Sequence, residues 1–140
     1  MTSSGVPPRA VVAGHGEFAR GLISAVEQIS GRGAVFISVS NAEFSAEALA
    51  EALGAAVAAS DATVIFTDLP AGSCTIAARR LARDHPRLAV VTGASLAMLL
   101  DFALKGESSA AALERAVDKG RLAMQALPAS RPAVEAGGVT

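Results

Sequence analysis

Tryptophan and tyrosine are missing from this 140-residue chain, and phenylalanine occurs only five times. With 12 Lys and Arg against 13 Asp and Glu, it has no surplus of positive charge either. A nucleic-acid binder needs stacking rings and a basic surface, so that class is excluded. The one cysteine, Cys74, excludes an internal disulfide, and no apolar run approaches the ~18 residues that suggest a membrane span. The opening MTSSGVPPRA has neither the charged start nor the apolar core of a signal peptide, so cytoplasmic residence is the expectation.

What is present is a regular alternation. Four near-continuous apolar runs, Ala10 to Ala13, Ala34 to Val39, Ala62 to Thr67 and Leu88 to Thr92, read as strands buried on both faces. Helical spacing fills the gaps, from Phe18 to Ile29, Ser45 to Ala59 and Ser73 to Arg83. Ser45 is a plausible N-cap, with Glu47 in the first turn. Ser95 can cap a further helix that ends near Lys105-Gly106, and Ser108 or Ser109 a last one, interrupted only by Gly120 and reaching Leu127 before Pro128 stops it. Strands alternating with helices imply right-handed crossovers, hence a three-layer, doubly wound, mostly parallel α/β domain. One domain over residues 9–127 is expected, with residues 1–8 and 128–140 as flexible tails.

In such a sheet a site lies beyond the carboxyl ends of the strands, where the connections diverge. If strand one pairs with strands two and three, in the order 2-1-3-4, that point falls between Gly14-His15-Gly16 and Thr67-Asp68-Leu69-Pro70-Ala71-Gly72-Ser73. A histidine then faces an aspartate. Imidazole is nucleophilic only through an unprotonated nitrogen, and a carboxylate on the other nitrogen fixes the tautomer. Asp68 would orient His15, the flanking glycines would allow a partner to approach closely, and Ser73 with the amides opening the third helix would bind a phosphoryl group.

The same loop, Gly14-His15-Gly16-Glu17-Phe18-Ala19, fits the dinucleotide fingerprint G-x-G-x-x-G/A. That reading needs an acidic residue near the end of strand two, where this chain has Ser38-Val39-Ser40-Asn41. A nucleotide-binding or purely structural module stays as an alternative. Elsewhere, His85 before Pro86 reads as a helix-end residue, and Cys74 as a buried small side chain with some chance of redox sensitivity. Arg79 and Arg80 read better as a solvated helix face than as a patch that steers an acidic partner. Two distant histidines make no metal site.

Three stretches, VVAGHGEFARGLISAVEQISG, VIFTDLPAGSCTIAARRLA and AVVTGASLAMLLDFAL, occur in this order and strand context. Together they resemble the mannose-family enzyme IIA component of the bacterial phosphoenolpyruvate-dependent sugar phosphotransferase system, over about Arg9 to Leu127. The resemblance implies a phosphocarrier and transferase component without a cofactor. It would take a phosphoryl group from phosphorylated HPr onto His15 and pass it to an enzyme IIB component, associating peripherally with a membrane sugar permease through IIB. It also implies Asp68 as the orienting residue and Ser73, Gly72 and Gly16 around the phosphoryl group.

A homodimer is implied too, with an exchanged C-terminal antiparallel strand for which RPAVEAG is the available segment. The chain departs from the family pattern at Ala71, which precedes Gly72, and at Cys74 after Ser73. A regulatory relay of the dihydroxyacetone kinase type, which has a similar domain, is the nearest alternative.

Overall fold

The computed structural model describes residues 9–131. Its order is β1 (Ala10–Gly14), α1 (Phe18–Ser30), β2 (Phe36–Ser40), α2 (Ala46–Ser60), β3 (Val64–Thr67), α3 (Ser73–Arg83), β4 (Ala89–Val91), α4 (Leu96–Lys105) and α5 (Ala110–Ala123). The four strands form one parallel sheet in the order β2-β1-β3-β4. Both the doubly wound fold and the strand order are as the sequence implies.

Alternation along each strand explains the layers. On β1, Ala10 and Val12 face a core that includes Phe36, Phe66, Met98, Leu99 and Phe102, covered by α1, α4 and α5. Val11 and Ala13 face the other way, toward Leu49, Leu53, Cys74 and Ala78 of α2 and α3. All four β1 side chains are fully buried, which is why the run shows no polar alternation in sequence. Phe36, Phe66 and Phe102 form a triangle with ring centroids 5.2–6.3 Å apart, tying β2 and β3 to α4.

Helix starts follow the serine pattern. Ser45, Ser95 and Ser109 accept from the amides of Ala48, Met98 and Ala112 and so cap α2, α4 and α5. Ser109 is thus the cap of the last helix, while Ser108 bonds Thr63 instead. His85 closes the end of α3, its Nδ1–H donating to the Leu81 carbonyl at 2.9 Å.

The last helix is shorter than its spacing implies, ending at Ala123 and not at Leu127. Its last buried residue is Gly120, and Leu122, Met124 and Leu127 are 71%, 74% and 84% exposed. With nothing to pack against, the apolar spacing there has no means of holding a helix. Residues Pro128–Arg131 belong to no helix or strand. The segment suggested as an exchanged strand lies, apart from Arg131, outside the described residues, as do residues 1–8.

Candidate functional site

Strand register assembles the site. Gly14 pairs with Ser40 on one side, and Ala13 with Thr67 on the other. The residue after each strand therefore emerges at the same edge of the sheet: His15 after β1, Asn41 after β2 and Asp68 after β3. The crossover from β2 to β3 passes over β1, so this edge is the switch point of the sheet.

His15 and Asp68 meet there. One carboxylate oxygen, Oδ2 of Asp68, accepts the His15 backbone N–H at 2.9 Å and lies 2.7 Å from its ring Nδ1. Partial burial works against the charge on Asp68, but the two hydrogen bonds and the charge interaction with His15 outweigh it. The carboxyl is therefore held below its ordinary value. An ionised carboxylate only accepts, so Nδ1 carries the hydrogen, and in the neutral form of the ring Nε2 keeps its lone pair. His15 is half-exposed and Asp68 nearly covered, so the imidazole is open to solvent and the carboxylate largely is not.

Glycine is required beside this pair. A Cβ on Gly14 would lie 2.6 Å from Phe18 Cδ2 and 3.1 Å from Asp68 Oδ2. Gly72 has φ +118° and ψ 174°, a conformation open to glycine alone, and a Cβ there would sit 3.8 Å from His15 Cε1. Gly72 thus borders the imidazole. Gly16, at φ +53°, turns the chain from His15 into α1.

Ser73 is the first residue of α3 and caps nothing; its Oγ accepts from Asn41 Nδ2 at 3.3 Å. The first intrahelical bond of α3 runs from Ile76 to Gly72, which leaves the amides of Ser73, Cys74 and Thr75 without helical partners. α1 likewise has no side-chain cap. The two α-helices that follow the site loops are thus the two without side-chain caps, and their positive ends suit an anion.

Three residues of the site were invisible in sequence. Thr67 and Thr75 are both buried; the Thr75 hydroxyl donates to the Leu69 carbonyl and accepts from the Thr67 hydroxyl at 2.6 Å, which pins the β3–α3 loop. Asn41 is the third. Thr67 could be read only as the end of a strand, and Asn41 only as the lack of an acid.

Cys74 is buried, and burial, followed by the charge of Asp68, pushes its thiol up, so it stays protonated and inert. Among the described residues no three His, Cys, Asp or Glu come together as a metal site would need, and no helix is long and apolar enough to cross a membrane. The cleft between α1 and β2, lined by Gly16, Arg20, Ser38, Ser40 and Phe44, encloses about 250 Å³. Small-molecule sites usually span about 300–1,000 Å³, so a dinucleotide would be a poor fit.

Comparison with known proteins agrees with this architecture. Residues 9–119 match the family model EIIA-man, described as the PTS system fructose IIA component. A search of curated proteins finds no match. Among solved structures, the mannose/sorbose-specific IIA subunit from Enterococcus faecalis is 21% identical with a TM-score of 0.74, covering 91% of this chain and 100% of that one. The PTS IIA protein associated with the fucose utilization operon from Streptococcus pneumoniae is 18% identical with a TM-score of 0.77, covering 89% and 96%. A phosphotransferase component EIIA from Streptococcus agalactiae is 20% identical with a TM-score of 0.74, covering 84% and 95%. Identities this low speak for the fold, whereas the family model spans most of the chain: the protein belongs to the mannose-type enzyme IIA family of the phosphotransferase system.

Proposed function

We propose that this protein is a histidine phosphocarrier, taking a phosphoryl group from phospho-HPr on Nε2 of His15 and passing it to an enzyme IIB component for sugar uptake and phosphorylation. The observation that carries the reading is the pair of hydrogen bonds that Asp68 Oδ2 accepts from the His15 backbone and ring, which leaves Nε2 as the free nucleophile on an exposed edge. In loading, the Nε2 lone pair attacks phosphorus as the donor's P–N bond breaks, and the donor imidazole leaves. The ring gains positive charge while keeping its Nδ1 hydrogen, and the Asp68 carboxylate offsets that charge. The Ser73 hydroxyl and the free amides at the start of α3, beside Gly72, would hold the phosphoryl oxygens, with Gly16 shaping the opposite wall.

Docking of protein partners accounts for two exposed apolar side chains beside the site. Leu69 follows Asp68 and is 50% exposed, and Ile76, on the first turn of α3, is 56% exposed. A partner must bring its own histidine against Nε2, so both lie under its footprint. The carrier works in the cytoplasm, meeting the permease through IIB.

A homodimer also fits. β4 is an edge strand, and the groove between it and α5, lined by Val90, Thr92, Leu113 and Val117 among others, measures about 630 Å³. An added strand from a second copy would pair the open edge.

The test is phosphoryl transfer from phosphoenolpyruvate through enzyme I and HPr, read by intact mass and by acid lability of the adduct. An acid-labile adduct on wild type and none on His15→Ala is expected. No adduct on wild type with competent HPr would overturn the reading.

A further inference from the structure

We propose that Asn41 is a positioning residue for phosphoryl transfer, aiming the Ser73 hydroxyl at the group carried by His15. The inference rests on the phosphocarrier reading and adds a residue to it. A serine hydroxyl has one hydrogen to donate and two lone pairs to accept with. The Asn41 side-chain amide nitrogen donates to Ser73 Oγ at 3.3 Å, and that nitrogen has no lone pair with which to accept. The Ser73 hydrogen therefore cannot point back at it.

Ser73 caps no amide, and besides Asn41 its side chain meets only the thiol of the adjacent Cys74, which burial keeps protonated and a weak acceptor, so the O–H is free to turn to a stronger acceptor outside α3. Gly72, the residue before Ser73, borders the His15 ring at Cε1, the carbon between its two nitrogens. A phosphoryl oxygen on Nε2 is the acceptor this geometry supplies.

Sheet register explains why residue 41 can do this. Pairing of Gly14 with Ser40 sets the next residues, His15 and Asn41, level at the sheet edge. The short helical turn Asn41–Glu43, held by the Ser40 hydroxyl accepting from the Ala42 amide, then keeps the side chain close to α3. Among the described residues Asn41 hydrogen-bonds Ser73 and makes no hydrogen bond to the imidazole, so its effect on transfer is expressed through the hydroxyl.

The experiment is a double-mutant cycle on the intact protein, Asn41→Ala against Ser73→Ala. It reads the rate of loading from phospho-HPr, the hydrolytic half-life of the adduct and its ³¹P resonance. Asn41→Ala should slow loading roughly three- to tenfold, the scale of one oriented hydrogen bond, and move the ³¹P resonance in the same direction as Ser73→Ala. In the Ser73→Ala background it should have no further effect. Asn41→Asp should be worse than Asn41→Ala, because a carboxylate would accept the Ser73 hydrogen and repel the phosphoryl charge.

Effects of Asn41→Ala and Ser73→Ala that multiply would overturn the proposal, as would an Asn41→Ala protein that loads like wild type. An unchanged melting temperature in Asn41→Ala excludes a folding defect as the cause. Wild type that takes no phosphoryl group would overturn the carrier reading itself, which the cycle keeps separate from the role of Asn41.

Discussion

A single oxygen of Asp68 holds His15 at two points, the backbone N–H at 2.9 Å and the ring Nδ1 at 2.7 Å. The first contact fixes where the residue sits, and the second fixes which way its ring faces. Both depend on one ionised carboxylate.

Removal of that carboxylate should therefore cost activity far more than stability. Asp68→Asn still offers one carbonyl oxygen but no charge, so the ring is free to change tautomer and the charge developed on phosphorylation is not offset. Loading of His15 should fall by about 10²-fold or more, with little change in the circular dichroism of the sheet. Stopped transfer assays at saturating phospho-HPr measure this, and an Asp68→Asn protein as fast as wild type would remove Asp68 from the mechanism.

The same carboxylate predicts a pH dependence of stability. Its folded value lies below the reference of 3.8, so it binds fewer protons folded than unfolded in the range between them. The stability it contributes is complete above 3.8 and is lost as pH falls through the folded value. Urea unfolding of wild type and Asp68→Asn should show a constant difference at higher pH that shrinks only in strong acid. A difference that vanished near neutrality would contradict the depressed value.

Gly14→Ala tests the packing beneath the pair. The new methyl group would overlap Phe18 Cδ2 at 2.6 Å and crowd Asp68 Oδ2 at 3.1 Å. A destabilisation of about 1–3 kcal/mol is expected, from the strain of overpacking. Because the same methyl group crowds the Asp68 carboxylate that orients the ring in the proposed mechanism, loading should slow as well. Thermal unfolding and transfer rates together check this, and a Gly14→Ala protein that is fully stable and active would show that the loop is slack.

Cys74 should resist modification. Its side chain is buried and its thiol is raised, so native protein should react with iodoacetamide at neutral pH far more slowly than the same protein in denaturant. Equal rates would mean that the start of α3 opens readily, which would also undo the ordered amides on which the site depends.

Much of this was legible in the amino-acid order, and for physical reasons. His15 and Asp68 each follow an apolar run that can only be a buried strand, and the crossover rule then brings the two strand ends together. Asn41 was not legible, because its contact with Ser73 depends on the register of β1 with β2 and on a tight turn that only the folded chain displays. That the cap position of α3 falls on Gly72, leaving the Ser73 side chain free, depends likewise on the backbone conformation of Gly72 in the fold. The end of α5 was misjudged because helical spacing persists in the sequence beyond the last residue that finds a core.

The two uncapped helices have a thermodynamic meaning as well. A serine cap contributes about 0.5–2 kcal/mol, and α1 and α3 forgo it where α2, α4 and α5 do not. Any anion seated against those ends restores the missing contacts in the native state alone, so by mass action occupancy of the site raises the free energy of unfolding. A phosphoryl group on His15 would thus couple charging to folding, and a shift of the melting curve on incubation with phospho-HPr would report it without a label.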